Sequence, residues 1–397
     1  MYFCTDQNGA IAKAMSKTTD IRIPFCRPDY GTAERAAIET AIRSGKLEGG
    51  GAMAQKCERW FEDWAGCVRA LITPSCTASL EMMALALDLG AGDEIIMPSF
   101  TFVSTAGAFA LRGAVPVFVD IDPHTFNLDL QSAKAAISPK TKAIMLVHYG
   151  GVGCDMDGFV ALCKEQNIVL LEDAAQAIGA TWDGKPLGTF GAMSGFSFHH
   201  TKNITCGEGG ALLVNDPALV DVSEIIRDKG TDRSDFLKRQ VTKYQWQKLG
   251  SSYQLSELAS AVLSEQLLRT DEINAVRMKI WQRYNKALVP LNNVQTPHIP
   301  AKAGHNAHIY SVLFKTKDQR NRCAAFLRRV GIVAAPHYVP LHSTPGGQKY
   351  GRSHGDMSVT NRVSETQLRL PLYATMNEAE QDEIIVTLLG FIENING

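Results

Sequence analysis

The chain has 397 residues, 45% hydrophobic and 20% charged, with a formal net charge of −1. This is globular composition in a chain too long for one core, so two domains are expected. The near-neutral balance offers no basic face to nucleic acid or to an anionic membrane. No apolar run is long enough to span a bilayer, since the best candidate, 100–119, is broken by Arg112, Pro116 and glycines.

Residues 1–20 are polar and unpatterned, lack the basic start and apolar stretch of a signal peptide, and read as a disordered tail. An extended segment at 21–25 precedes a helix at 32–43, predicted from apolar residues at Ala33, Ala37, Ile38 and Ala41. The stretch 44–51 carries four glycines. It is either a plain connector or a place where backbone passes close to a ligand. A helix through 57–61 and a strand at 70–72 lead into Thr73-Pro74-Ser75-Cys76-Thr77-Ala78-Ser79 and a helix at 80–89. A hydroxyl-rich helix start has two readings. Ser75 or Thr77 caps the helix, or the free N–H groups there cradle a phosphate.

Strands are predicted at 95–97, 116–120, 143–147 and 168–171. They are continuous apolar runs separated by helices, the pattern of a largely parallel sheet covered on both faces. Ligands of such sheets bind beyond the carboxyl ends of the strands. Thr77, Phe102, His148, Asp173 and Lys202 all fall at or just after strand ends and are expected to converge on one crevice. Lys202 follows a short alternating strand at 195–198, and Gly207-Glu208-Gly209-Gly210 closes its loop. Beyond Val214 comes a basic stretch, 227–243, then helices at 253–269 and 272–288. The remainder reads as α+β, with strands at 309–314 and 332–338, a helix at 320–330 and a last helix from about Glu378. Asn377 with Glu380 gives that last helix its start signal. The division expected is a large domain, 21–269, and a small one, 270–397. The nine cysteines are scattered, with no C-x-x-C pair. That spacing suits reduced thiols in a cytoplasm and gives no metal site.

An acid at the end of one strand and a lysine past another is the arrangement pyridoxal 5'-phosphate (PLP) needs. Its phosphate takes N–H and hydroxyl donors, its aldehyde a lysine, its ring nitrogen an acid, and its ring faces flat or small walls. Thr77, Ala78 and Ser197 suit the phosphate. Lys202 suits the aldehyde, Asp173 the nitrogen, Gln176 the ring hydroxyl, and Phe102 with Ala175 the walls. Singly, each is more often a solvated or packing residue. Their joint order gives them weight.

The runs Glu172-Asp173-Ala174-Ala175-Gln176, Ser197-Phe198-His199-His200-Thr201-Lys202-Asn203 and Gly207-Glu208-Gly209-Gly210 resemble the DegT/StrS class of sugar-nucleotide aminotransferases. The resemblance runs from about Ile23 to the C-terminus. It implies the aspartate aminotransferase fold (PLP fold type I): a mostly parallel large domain plus a smaller α+β domain. It also implies a homodimer with active sites at the interface. Position by position it implies Lys202 as the imine lysine, with a pyridoxamine phosphate form during turnover, and Asp173 at the pyridine nitrogen. It further implies Gln176 at the ring hydroxyl, Phe102 stacked on the ring, and Thr77, Ala78 and Ser197 at the phosphate.

Residues 73–82, 97–105 and 249–253 are similar to the branch that makes dTDP-4-amino-4,6-dideoxygalactose for surface glycans. The expected reaction is therefore amino transfer from glutamate to the 4-keto carbon of dTDP-4-keto-6-deoxyglucose. Alternatives are a C3 aminotransferase or a UDP-4-ketosugar aminotransferase of the same class, or a non-enzymatic regulator on the same fold. A dehydratase is disfavoured, since Lys202 is intact where that branch has histidine. Candidate sugar-nucleotide contacts are His337, Tyr338, His342 and the basic stretch. Two positions depart from the class pattern. Cys76 stands where many members have glycine, and Ser252 where many have an asparagine that reaches the partner's phosphate.

Overall fold

In the computed structural model, residues 20–237, 239 and 241–394 are described. The expected tail before Asp20, and Lys238 of the basic stretch, lie outside the described residues. The apolar runs become strands of one large sheet. In chain order they are β1 (Arg69–Thr73), β2 (Glu94–Pro98), β3 (Val115–Val119), β4 (Thr141–Val147), β5 (Val169–Asp173), β6 (Met193–Ser197), β7 (Gly210–Val214) and β8 (Arg352–Ser353). Across the sheet the order is β1-β7-β6-β5-β4-β2-β3-β8. Only β7 runs against its neighbours.

Strand residues alternate between two apolar layers. Ile144 and Leu146 join Ile96, Val117 and Phe196 on one face, and Ala143 and Met145 join Ile95, Met97 and Leu171 on the other. Both layers exclude water, which is why the strands read as unbroken apolar runs. Each Leu, Ile or Met sealed there contributes about 1.5–3 kcal/mol, so the central strands form a rigid platform and their ends hold the chemistry.

After helices Glu257–Leu268 and Thr270–Leu288 the chain builds an antiparallel sheet from Val294–Gln295, Tyr310–Phe314 and Gln367–Leu370. Its core gathers Tyr284, Tyr310, Leu327 and Ile384. The last helix spans Glu378–Glu393. Glu380 N–H donates to Asn377 Oδ1 at 2.8 Å, and Asn377 N–H to Glu380 Oε2 at 3.0 Å, as the capping signal predicts. The strand expected at 332–338 forms no ladder. Ile332 bridges to Ile23 and Ala335 to Arg369, each in isolation. Pro336 has no N–H to continue the pairing. Several segments cross between the halves, among them Ala303–Gly304, which pairs with Thr181–Trp182. Ile23 packs into the second core. Arg352–Ser353 extends the edge of the large sheet, where Arg352 grips Glu94 through two hydrogen bonds of 2.9 and 2.8 Å.

Candidate active site

The site forms at the carboxyl ends of β1, β5 and β6. Asp173 is the last residue of β5, paired with Val147 on one side and Gly195 on the other. Its carboxylate accepts from the Thr105 hydroxyl at 2.7 Å and from the Ala175 N–H at 3.2 Å. Thr101 stands behind Thr105, their hydroxyls 2.8 Å apart. Lys202 lies in the loop from β6 to β7, its N–H donating to His199 O at 2.8 Å. Asn203 clamps that loop. Its amide donates to Asn274 Oδ1 at 2.8 Å and to Asn306 O at 2.9 Å, and its Oδ1 lies 2.9 Å from His308 Nδ1.

Ser75 caps the helix start, its Oγ accepting from Ala78 N–H at 3.1 Å. Thr77 instead donates to Ser104 at 2.7 Å. The N–H groups of Cys76 and Thr77 have no carbonyl of their own helix to bond, so this end suits an anion. Strand β7 passes directly beneath it. A Cβ on Gly210 would lie 2.3 Å from the Ser75 carbonyl carbon and 2.5 Å from the Cys76 nitrogen. Ser197 ends β6 opposite Gly210. Phe102 precedes the helix Val103–Ala110 and is 49% exposed.

Gln176 is held on both sides. Its Oε1 accepts from Gly150 N–H at 2.7 Å, and its Nε2 donates to the Tyr338 hydroxyl at 2.8 Å. Tyr338 stacks on His337, with ring centroids 3.7 Å apart. His337 Nδ1 lies 2.6 Å from the Tyr149 hydroxyl, which donates to Gln367 Oε1 at 2.9 Å. His337 and Tyr338 thus join the network around Gln176. His342 is tied elsewhere, 2.7 Å from Ser99 Oγ at the end of β2, with Asp120 as its charged neighbour.

Three residues of the basic stretch are engaged. Arg227 pairs with Glu58, and Lys229 and Arg233 with Asp228. His148, expected in the crevice, is sealed from solvent, with Nε2 2.9 Å from Glu172 Oε2. Alternation along β5 turns Glu172 and Asp173 to opposite faces, and His148 follows Glu172.

Burial pushes the Asp173 carboxyl above its ordinary value, against the Thr105 hydroxyl, the Ala175 N–H and the charge of Lys202. Burial likewise pushes the Lys202 amine down; Cys76 and Asp173 oppose this, and the Arg369 charge adds to it. Acid and amine feel each other's charge, and both lean towards neutrality. Glu172 behaves differently. Burial would raise it, but His148 and the N–H groups of Gly191 and Gly188 outweigh burial and hold it below the usual range.

Sequence reasoning missed Thr105, the Glu172–His148 pair and the Asn203 clamp. The spacing Thr101 to Thr105, one helical turn, was the available signal for the hydroxyl relay. An acid and an amine that feel each other's charge beside an open helix start provide partners for a ring nitrogen, an aldehyde and a phosphate, so the residues present fit PLP.

The fold is that of the fold type I PLP-dependent aminotransferases. A sugar aminotransferase of Streptococcus pneumoniae, Spr1654, described as putative and solved in its PMP form, superposes with a TM-score of 0.88 at 26% identity, covering 94% of this chain and all of that one. The model of the DegT/DnrJ/EryC1/StrS aminotransferase family matches residues 28–389, and the chain belongs to that family. Among curated relatives, the GDP-perosamine synthase of Caulobacter vibrioides is 33% identical over 92% of this chain and 97% of its own length. The spore coat polysaccharide biosynthesis protein SpsC of Bacillus subtilis is 31% identical over 94% and 97%.

Proposed function

We propose that this protein transfers the amino group of glutamate to the 4-keto carbon of a nucleotide-linked 6-deoxy sugar, for surface-glycan synthesis. The substrate we assign is dTDP-4-keto-6-deoxyglucose, giving dTDP-4-amino-4,6-dideoxygalactose. The observation that supports the reading best is that Asp173, at the end of β5, and Lys202, in the loop after the adjacent strand β6, feel each other's charge and that of Cys76 at the open start of the helix Cys76–Ala86. Membership of an aminotransferase family supports the reaction class. Relatives named for perosamine and for coat polysaccharide support a sugar acceptor. The three stretches 73–82, 97–105 and 249–253 support the dTDP-linked acceptor.

Bound PLP supplies the electron sink for the amino donor's α-carbon. In this reading Thr77, Ala78 and Ser197 hold its phosphate and Gln176 its ring hydroxyl. Phe102 and Ala175 flank the ring, and Asp173 keeps the ring nitrogen protonated. Lys202, once its amine is free, takes the proton from the donor α-carbon, and its lowered basicity suits that task near neutrality. Replacing it by Ala is expected to slow turnover by about 10²–10⁴-fold, the usual contribution of a positioned proton-transfer group. The reading also makes the protein a cytoplasmic homodimer. Free thiols at each of the eight described cysteines favour a reducing compartment.

The name of the Caulobacter relative favours a second acceptor, a GDP-linked 4-ketosugar. A 3-ketosugar or a UDP-linked 4-ketosugar is a weaker alternative. The test is incubation with glutamate and each ketosugar nucleotide in turn, with the product read by NMR. Amination at C4 of the dTDP sugar is the expected result. Turnover of only a GDP-, UDP- or 3-keto substrate would move the assignment. Purified protein that is colourless, binds no added PLP and gives no borohydride-fixed adduct at Lys202 would overturn the enzyme reading.

A further inference from the structure

Just ahead of the strand Tyr310–Phe314, residues 306–308 form a fixed segment. Arg277, from the helix Thr270–Leu288, donates to Ala307 O at 3.2 Å and to His308 O at 2.6 Å. Ala307 is sealed from solvent and held at φ 52°, a backbone state an alanine rarely takes unless its surroundings impose it. His308 N–H donates to Asn306 Oδ1 at 3.1 Å, which leaves the Asn306 amide nitrogen to reach across to the loop of Gln176. There it donates to Gln176 O and to Ile178 O, at 2.9 Å each.

The same segment holds the loop of Lys202. Asn203, the next residue, is 6% exposed. Its amide nitrogen donates to Asn306 O at 2.9 Å and to Asn274 Oδ1 at 2.8 Å, and Asn274 Nδ2 donates in turn to Ile178 O at 3.1 Å. One acceptor of each amide is a main-chain carbonyl, so neither amide can be turned round. Asn203 Oδ1 therefore faces His308 Nδ1 at 2.9 Å, and that nitrogen must carry the proton. The imidazole is neutral. Burial pushes it well below its ordinary value, and the charges of Lys202, Arg277 and Arg369 push it the same way. His308 is thus a buried donor in a single tautomer.

We infer that His308 is a positioning residue for Lys202, acting through Asn203. A lysine side chain is long and flexible, so where its amine reaches depends on where its main chain is anchored. Lys202 is tied on one side by its own N–H, on His199 O, and on the other by Asn203. Removing the His308 donor leaves a buried amide oxygen unpaired. Asn203 can then regain a partner only by turning, which breaks its bonds to Asn274 and Asn306. Proton transfer needs the amine within hydrogen-bond reach of the proton it takes, and a displacement of about 1 Å costs up to about 10²-fold. The anchor of Lys202 therefore lies outside the sheet that carries its loop. The inference rests on the reading above of Lys202 as the residue that engages PLP.

The test compares wild type with His308→Leu, His308→Asn and Asn203→Ala. Asparagine keeps an N–H near the place of Nδ1, and leucine keeps only the bulk. In PLP-loaded protein given glutamate, His308→Leu is expected to slow the half-reaction about 10–100-fold at saturation, with the half-saturating concentration within about twofold of wild type. The pH midpoint of the bound cofactor's absorbance should move by about half a unit, since it depends on how the lysine tether holds the linkage. In cofactor-free protein, backbone hydrogen exchange over residues 199–206 should quicken about tenfold. His308→Asn should lie close to wild type in all these readings. Asn203→Ala should be at least as slow as His308→Leu, and adding His308→Leu to it should change little. His308→Gln, whose amide extends one bond further than Nδ1, serves if the leucine protein does not fold. A leucine protein that is less stable to urea but keeps the wild-type rate and pH midpoint would overturn the inference. So would a loss confined to glutamate saturation, or losses that add in the double variant. A wild type that gives no borohydride-fixed adduct at Lys202 would overturn the reading of Lys202, and this inference with it.

Discussion

Lys202 and Asp173 show how burial sets chemistry one side chain at a time. The Lys202 amine is held below its ordinary value of 10.5, first by lost hydration. Between its folded value and 10.5 the unfolded chain binds more protons than the native one, so this group makes stability rise with pH across that window. In cofactor-free protein, Lys202→Met should flatten that rise, read as urea midpoints at pH 7 and 10. An identical pH response in both proteins would refute the assignment. Glu172 carries the opposite sign. It accepts from Gly188, Phe190 and Gly191 N–H groups, each at 2.7 Å, besides His148. Its value is lowered, so its contribution is present above 4.5 and disappears as pH falls through the folded value. Glu172→Gln should cost about 3 kcal/mol at pH 7, and the gap to wild type should narrow at pH 3–4, measured by urea denaturation. The places of Asp173 and Lys202 were readable in the sequence, because an acid closing one apolar strand and a lysine just past another stand out. The part of Thr105 was not, because a hydroxyl on a helix acquires meaning only from what the fold places opposite it. His148 was misjudged because a position at a strand end does not say which face the side chain takes.

At the level of strands and helices, what matters is how closely two elements approach. The start of Cys76–Ala86 rests on β7 at Gly210, where an added methyl would meet backbone atoms that cannot rotate away. Gly210→Ala should cost about 1–3 kcal/mol and weaken PLP binding, because the anion-facing N–H groups would be pushed out of line. Gly195→Ala, in the neighbouring strand, would meet first the Cys76 sulfur at 3.2 Å and should cost less. Melting temperature and PLP titration of the two variants separate these effects, and equal losses would count against the close approach as the cause. The parallel strands were legible because burial on both faces writes itself as an apolar run. The segment 332–338 imitates such a run, yet Pro336 denies it a ladder, and it serves as the strap that carries Tyr338.

For the whole molecule the chemistry depends on parts distant in the chain. Gln176, from the loop after β5, is fixed by Tyr338, 162 positions later. Tyr338→Phe removes the acceptor from a part-buried amide and should cost about 1–2 kcal/mol in stability. PLP affinity should fall with it if Gln176 meets the ring hydroxyl, which spectral titration would reveal. Unchanged affinity would separate Gln176 from the cofactor. The boundary we propose at 269 and 270 follows a change of pattern along the chain. It could not foresee that Ile23 would join the second core or that Arg352–Ser353 would return to the first sheet. Such crossings are set by three-dimensional neighbours and leave no local trace.

The placing of β1 bears on how the chain is made. It stands at the sheet's margin with β7 as its one ladder partner among the described residues, and that partner is translated some 140 positions afterwards. During synthesis, then, Arg69–Thr73 leaves the ribosome long before the segment that can pair with it, and the sheet cannot close from its first strand outward. A nascent chain halted short of Gly210 would present that bare margin to other chains, an opening for aggregation that release of the next few residues removes.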